Sequence, residues 1–177
     1  MEYKGIKFDA IVATPGCGKS YLCDRYDNFV DVDEVRLRCK YVVPGNITRE
    51  ELERTKGNRT FERRASYDEY VKDMEQKLDE YVSKGKILIC APHPEVVEYL
   101  VKRNVRFAFV YQSKDMKEVL VERMKQRGNS EKIIQDIADN FDFYYNKNVN
   151  ENDSVVHYEF GKDEFLIDII KKFGYKF

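Results

Sequence analysis

The strongest constraint on this chain is the octapeptide Ala13-Thr14-Pro15-Gly16-Cys17-Gly18-Lys19-Ser20, set between an apolar run and the start of a helix. Residues 6–13 (IKFDAIVA) read as a buried strand, which Thr14-Pro15-Gly16 breaks. Gly18-Lys19-Ser20 then opens a helix expected to run to about Arg25. Glycines let consecutive backbone N–H groups point inward at an anion, and the positive end of the following helix adds to that field. The pattern is a Walker A phosphate loop with alanine at its first glycine position. A strand-terminal residue needs no positive φ, so alanine can stand there. A chance glycine-rich turn is the alternative, and the flanking strand and helix weigh against it.

Around this loop, strand and helix patterns alternate. Residues 28–32 form a second short strand. Residues 44–66 are polar and irregular, with a capping-box signal at Thr48 and Glu51. A second capping box, Ser66 and Glu69, opens a helix over 67–83 that stops at Lys84-Gly85. Residues 86–91 and 105–111 are further apolar strands. Pro94 suits the first turn of a helix reaching Arg103. A helix over 114–126 is interrupted by Gly128-Asn129-Ser130 and resumes to about Tyr145, and a fifth strand (154–160) and a closing helix (163–173) complete the chain. Such alternation implies parallel βαβ units and a sheet covered on both faces. The expected organisation is one α/β domain over 1–177, carrying an acceptor-binding insertion at 44–84 and a lid at 123–131.

Lys and Arg number 31 against 32 for Asp and Glu, which excludes coating nucleic acid or membrane by bulk charge. Cys17, Cys23, Cys39 and Cys90 form no CxxC pair and show no metal-ligand spacing, so all four read as reduced thiols. No run approaches the ~18 apolar residues of a membrane span. With a polar start at residues 1–5, the expectation is a cytoplasmic protein without signal peptide.

Four features bear on what a phosphate loop is used for here. Asp31 and Asp33 in VDVDEVR are placed by strand alternation on one side at the carboxyl end of the sheet, where open α/β folds bind ligands. One carboxylate can hold Mg²⁺ through water, and the other can orient or deprotonate an acceptor, with Arg36 pairing an anionic group. The competing reading is a solvated acidic turn that caps a helix. Arg123 and Arg127 lie four apart before Gly128-Asn129-Ser130, the composition of a lid that brings guanidinium charge to a migrating phosphoryl group. An exposed helix laced by ion pairs accounts for them equally well. Arg49, Arg54, Lys56, Arg59, Arg63 and Arg64 crowd the insertion and can grip a second anion; a solvated charged segment is the plainer account. His93, after the third strand, is a candidate acceptor contact or a hydrogen-bonded turn residue.

Together these residues resemble the small-molecule P-loop kinases of the nucleoside monophosphate kinase type. ATPGCGKS matches their phosphate loop, and VDVDEVR resembles the DxDxxR and DxD elements of adenylylsulfate and shikimate kinases. LVERMKQRGNSEKI looks like a guanylate kinase lid. The succession of ILICAPHPEVVEYL, VRFAFVY and VERMKQRGN is similar to a group of phage-type nucleotide kinase-like proteins. The resemblance implies a P-loop NTPase three-layer sandwich with a five-stranded parallel sheet in the order 2-3-1-4-5. It implies ATP and Mg²⁺ as cofactors, held by Thr14, Pro15, Gly16, Cys17, Gly18, Lys19, Ser20 and Tyr21. Ser20 and Asp31 become the metal contacts, the latter because the third strand ends in Pro92-His93-Pro94 where an acid is usual. Lys19, Asp33, Arg123 and Arg127 become the catalytic set, with Asp31, Asp33, Arg36, Arg63, Arg64 and His93 facing a small-molecule acceptor. The leading expectation is transfer of the ATP γ-phosphate to a nucleoside monophosphate, a deoxynucleotide first. A hydroxyl acceptor (nucleoside, polynucleotide 5′ end or small metabolite) and a non-catalytic nucleotide-binding regulator are the alternatives.

Overall fold

Short apolar strands that are buried on both faces need helices above and below them, and the fold supplies both layers. The computed structural model describes residues 1–42, 46–48, 51, 66–150 and 153–177. An N-terminal hairpin pairs β1 (Glu2–Tyr3) with β2 (Ile6–Lys7). Then follow β3 (Ala10–Ala13), α1 (Lys19–Cys23), β4 (Phe29–Asp31), α2 (Val32–Lys40), α3 (Tyr67–Ser83), β5 (Ile87–Cys90) and α4 (Pro94–Lys102). The chain continues through β6 (Phe107–Gln112), a 3₁₀ turn at Lys114–Met116, α5 (Lys117–Gln126), α6 (Glu131–Asn150), β7 (Val156–Phe160) and α7 (Leu166–Lys172). The main sheet is β4-β5-β3-β6-β7, parallel throughout. Counting only its five strands in chain order, this is 2-3-1-4-5. The architecture is an α/β three-layer sandwich of the P-loop NTPase kind.

Alternation along the strands divides the core in two. Ile11, Ile89, Ala108 and Val110 face a layer built from Leu22 of α1 and Leu166, Ile169 and Ile170 of α7. Their neighbours Val12, Leu88, Cys90, Phe107 and Phe109 face Val35 of α2, Met74 and Leu78 of α3, and Val96 and Leu100 of α4. Tyr70, Met74 and Leu78 recur every four residues along one stripe of α3, which puts all three in the core. Burying a side chain such as Met74 or Leu78 contributes roughly 1.5–3 kcal/mol. The Ser66 hydroxyl accepts from Glu69 N at 3.3 Å to start that helix.

Several expectations change in detail. The predicted strand over 6–13 is two pieces, because Lys4 (φ 50°) and Gly5 (φ 80°) turn the chain and pair Ile6–Lys7 with Glu2–Tyr3. Only Ala10–Ala13 enters the main sheet. The second strand ends at Asp31, and α2 starts at the next residue, with Asp31 Oδ1 accepting from Asp33 N at 3.0 Å as its N-cap. Asp33 therefore stands in the first turn of a helix, and strand alternation is not what places it. The Thr48–Glu51 capping box is present: Glu51 Oε2 accepts from Thr48 N at 2.9 Å, and Thr48 Oγ1 from Glu51 N at 3.3 Å.

Candidate functional site

The phosphate loop leaves β3 at Ala13 and enters α1 at Lys19, at the carboxyl edge of the central strand. Gly16 (φ 77°) and Gly18 (φ 98°) take left-handed conformations that side chains with a Cβ disfavour. The loop is tied down from three sides. Thr14 N donates to Val110 O at 3.1 Å, and Leu166 N donates to Cys17 O at 2.8 Å. Gln112, at the end of β6 and only 3% exposed, accepts from the Thr14 hydroxyl and donates through Nε2 to the Pro15 carbonyl. A Cβ on Gly16 would collide with Leu120 Cδ1 of α5, so that helix packs directly on the loop. Lys19 Nζ donates to Ala13 O (2.8 Å) and Thr14 O (3.1 Å), which holds the ammonium across the loop. The Cys17 thiol is buried, and burial pushes its pKa up against the Lys19 charge, so it is inert packing.

A cavity of about 650 Å³ opens over this loop and brings together Gly16, Gly18, Lys19, Ser20, Asp31 and Asp33. Pro15, Tyr21, Arg36, His93, Arg123 and Arg127 complete the gathering of predicted residues. Tyr21 is about half exposed, with Arg25 lying 4.2 Å from its ring centroid. Arg63 and Arg64 lie outside the described residues.

On one side of this cavity, His93 Nε2 lies 3.3 Å from Asp33 Oδ1. The contact is of ion-pair length, and Oδ1 is buried and accepts no hydrogen bond of good geometry. Burial disfavours the Asp33 carboxylate. The adjacent His93 ring, the Lys19 charge and the Ala91 backbone outweigh that, holding its pKa at about 2. On the other side, the Arg123 guanidinium lies over the Phe165 ring at 4.4 Å and donates through Nη2 to Lys162 O at 2.7 Å. Its Nη1 is buried and has no hydrogen-bond partner. The helix carrying it ends on Gly128 (φ 79°), where Gly128 N reaches Lys125 O and Asn129 N reaches Met124 O, a Schellman stop. Arg36 is in an ion pair with Glu95, whose Oε1 also accepts from the Tyr70 hydroxyl at 3.2 Å.

No protein-family model matches this sequence. No curated protein matches it. Among solved structures it is similar to the tunicamycin resistance protein of Deinococcus radiodurans, at 12% identity and a TM-score of 0.48. That alignment covers 93% of this chain and 91% of the other. It is also similar to an uncharacterized protein from Eubacterium ventriosum, at 15% identity and a TM-score of 0.47, covering 92% and 94%. Likeness at this distance carries neither a substrate nor a reaction to this chain.

Three residues of the site escape sequence reasoning. Gln112 has one local signal, a polar residue closing the apolar strand FAFVYQ beside the loop strand. Glu95 sits in the first turn of α4, where an acid has an ordinary role toward the helix end, so its claim on Arg36 is invisible locally. Phe165 immediately precedes α7, and nothing nearby in sequence marks it as the platform for Arg123. Among the described residues no helix is long and apolar enough to cross a membrane.

Proposed function

We propose that this protein is an ATP-dependent phosphotransferase, moving the γ-phosphate to a small acceptor seated beside Asp33 and His93. One observation carries the reading. In the cavity lined by the phosphate loop, an acid and a base each keep a buried ionic atom without a hydrogen-bond partner, Asp33 Oδ1 and Arg123 Nη1. Such atoms are costly in a folded protein, and a bound ligand is the economical explanation. Arg123 suits an anionic phosphoryl oxygen, and Asp33 suits a donor. The Gly16–Ser20 backbone and Lys19 hold the polyphosphate, and Lys19 would exchange its loop carbonyls for phosphate oxygens.

Mg²⁺ fits this donor set. The described residues contain no group of three or more His, Cys, Asp or Glu able to hold a metal. Ser20 and Asp31 line the phosphate-loop cavity and would be the ion's protein contacts, with phosphate oxygens and water completing its shell. When bound, it supplies charge neutralisation on the phosphates.

Two acceptor types remain in play. A nucleoside monophosphate, the leading sequence expectation, needs a cation for its own phosphate. Arg36 is engaged by Glu95, and Arg63 and Arg64 lie outside the described residues. A hydroxyl acceptor needs a base, and the Asp33 carboxylate, whose Oδ1 accepts no hydrogen bond of good geometry, favours that second reading. The reaction then balances simply. The hydroxyl oxygen bonds to the γ-phosphorus, the bond from that phosphorus to the β–γ bridging oxygen breaks, ADP leaves, and the hydroxyl proton passes to Asp33.

The test is transfer from γ-labelled ATP with Mg²⁺ to ribo- and deoxynucleoside monophosphates, nucleosides, a 5′-hydroxyl oligonucleotide and water. Label should appear on one organic acceptor and fall by about 100-fold or more in Lys19→Ala. Tight ATP binding without transfer to any acceptor would replace this reading with a nucleotide-gated binding protein.

A further inference from the structure

A second cavity, of about 620 Å³, adjoins the first on the other side of the phosphate loop. Pro15, Ala91, His93 and Ile137 line both, so a molecule in one touches the rim of the other. Its floor is Phe107 and Phe109 of β6, and Val97 of α4 lies along one wall. The opposing wall is α6, with Phe141 and Tyr145 stacked at 6.3 Å between ring centroids and 23° between planes. Aromatic residues on the floor and on one wall suit a flat ring system, and the volume lies within the ordinary range of small-molecule sites.

The charges decide what that ring system carries. No Lys or Arg lines this cavity among the described residues; its ionisable side chains are His93, Glu98, Asp136 and Tyr145. Lys114 lies 5.5 Å from the Tyr145 ring without lining the cavity. Two carboxylates at the rim repel a phosphate but accept hydrogen bonds from hydroxyl or amino groups. At the junction with the first cavity stands His93, its Nε2 3.3 Å from the buried Asp33 Oδ1.

We infer that this cavity binds an uncharged nucleoside as the phosphoryl acceptor, its base against the aromatic floor and wall and its sugar hydroxyl presented at the His93–Asp33 junction. The inference rests on the phosphotransferase reading and specifies its acceptor as a hydroxyl, in place of a nucleotide's phosphate.

Binding tests it without turnover. The intact protein is titrated calorimetrically, without ATP, with adenosine, guanosine, cytidine and thymidine, and with each matching 5′-monophosphate. One nucleoside is expected to bind at least about 10-fold more tightly than its monophosphate. No nucleoside binding at millimolar concentration, or monophosphates binding as well or better, overturns the proposal. Val97→Phe, which puts a ring into the cavity, should weaken the nucleoside about 10-fold or more; unchanged affinity in the folded variant places the nucleoside elsewhere and also overturns it. Should that variant fail to fold, Glu98→Gln on the exposed rim serves instead, and it should narrow the preference for nucleoside over monophosphate several-fold. An unaltered preference counts against the proposal. ATP titrated separately keeps the two ideas apart: absent ATP binding defeats the phosphotransferase reading, while the nucleoside titration still judges this cavity.

Discussion

Replacing Asp33 by Asn probes the site's electrostatics and its chemistry together. The Asp33 carboxyl is held at about 2 in the fold against an ordinary value of 3.8. A difference of that size corresponds to about 2.4 kcal/mol favouring the ionised form. The side chain keeps 32% of its exposure, so solvent screening reduces the expected stabilisation to about 1–2 kcal/mol. The sign follows from linkage. A carboxyl whose pKa is lower folded than unfolded stabilises the protein above the unfolded pKa, and that contribution fades as pH falls from about 4 through about 2. Asp33→Asn cannot ionise and lacks it at every pH. Urea unfolding followed by circular dichroism should show the variant less stable by about 1–2 kcal/mol at pH 7, and the gap should close progressively below pH 4. Transfer to a hydroxyl acceptor should fall about 10²- to 10⁴-fold, whereas transfer to a monophosphate, whose oxygen is already nucleophilic, should change little. A variant more stable than the parent at pH 7 would show that desolvation outweighs the His93 and Lys19 interactions. A gap independent of pH would show that the effect is packing. Either result refutes the reasoning.

Two further substitutions test how the loop is held. Gly16→Ala combines a left-handed backbone at φ 77° with a Cβ that meets Leu120, so it should cost about 2–3 kcal/mol and lower the melting temperature by about 5–10 °C. Gly16→Ala should also weaken ATP binding, and adding Leu120→Ala should restore that affinity in part if the displaced α5 is the cause; no recovery would assign the loss to the backbone alone. Gln112→Leu leaves the Thr14 hydroxyl and the Pro15 carbonyl without their partner, at about 1–3 kcal/mol, and should weaken ATP binding through the loop. Unchanged affinity by calorimetry would mean the loop keeps its shape without that side chain.

What the chain declares locally is its alternation of strand and helix and its phosphate loop. IVA before TPGCGKS, the Ser66–Glu69 cap and the four-residue repeat of Tyr70, Met74 and Leu78 are signals contained within a turn or two of helix or strand. Hydrophobic period and cap chemistry act over that same range, and so the elements are legible. The start of α2 directly at Val32 was less so, because no glycine or proline separates it from the strand. The Lys4-Gly5 turn is not legible in the sequence, because the strands it joins are two residues each and too short to show alternation.

The assembly of the site belongs to the tertiary structure. The sequence puts Asp31 and Asp33 at the carboxyl end of the sheet, His93 after the third strand and Arg123 in a lid; the fold gathers them with Lys19 in one cavity, and it also gives Arg36 to Glu95 and seats Arg123 on Phe165. Gln112 grips a loop 98 residues away from it. The aromatic cavity arises only when α6 packs across β6. Local propensity selects elements because its interactions span a few residues, whereas charge pairing and cavity shape depend on which distant side chains the parallel crossovers bring within a few ångströms.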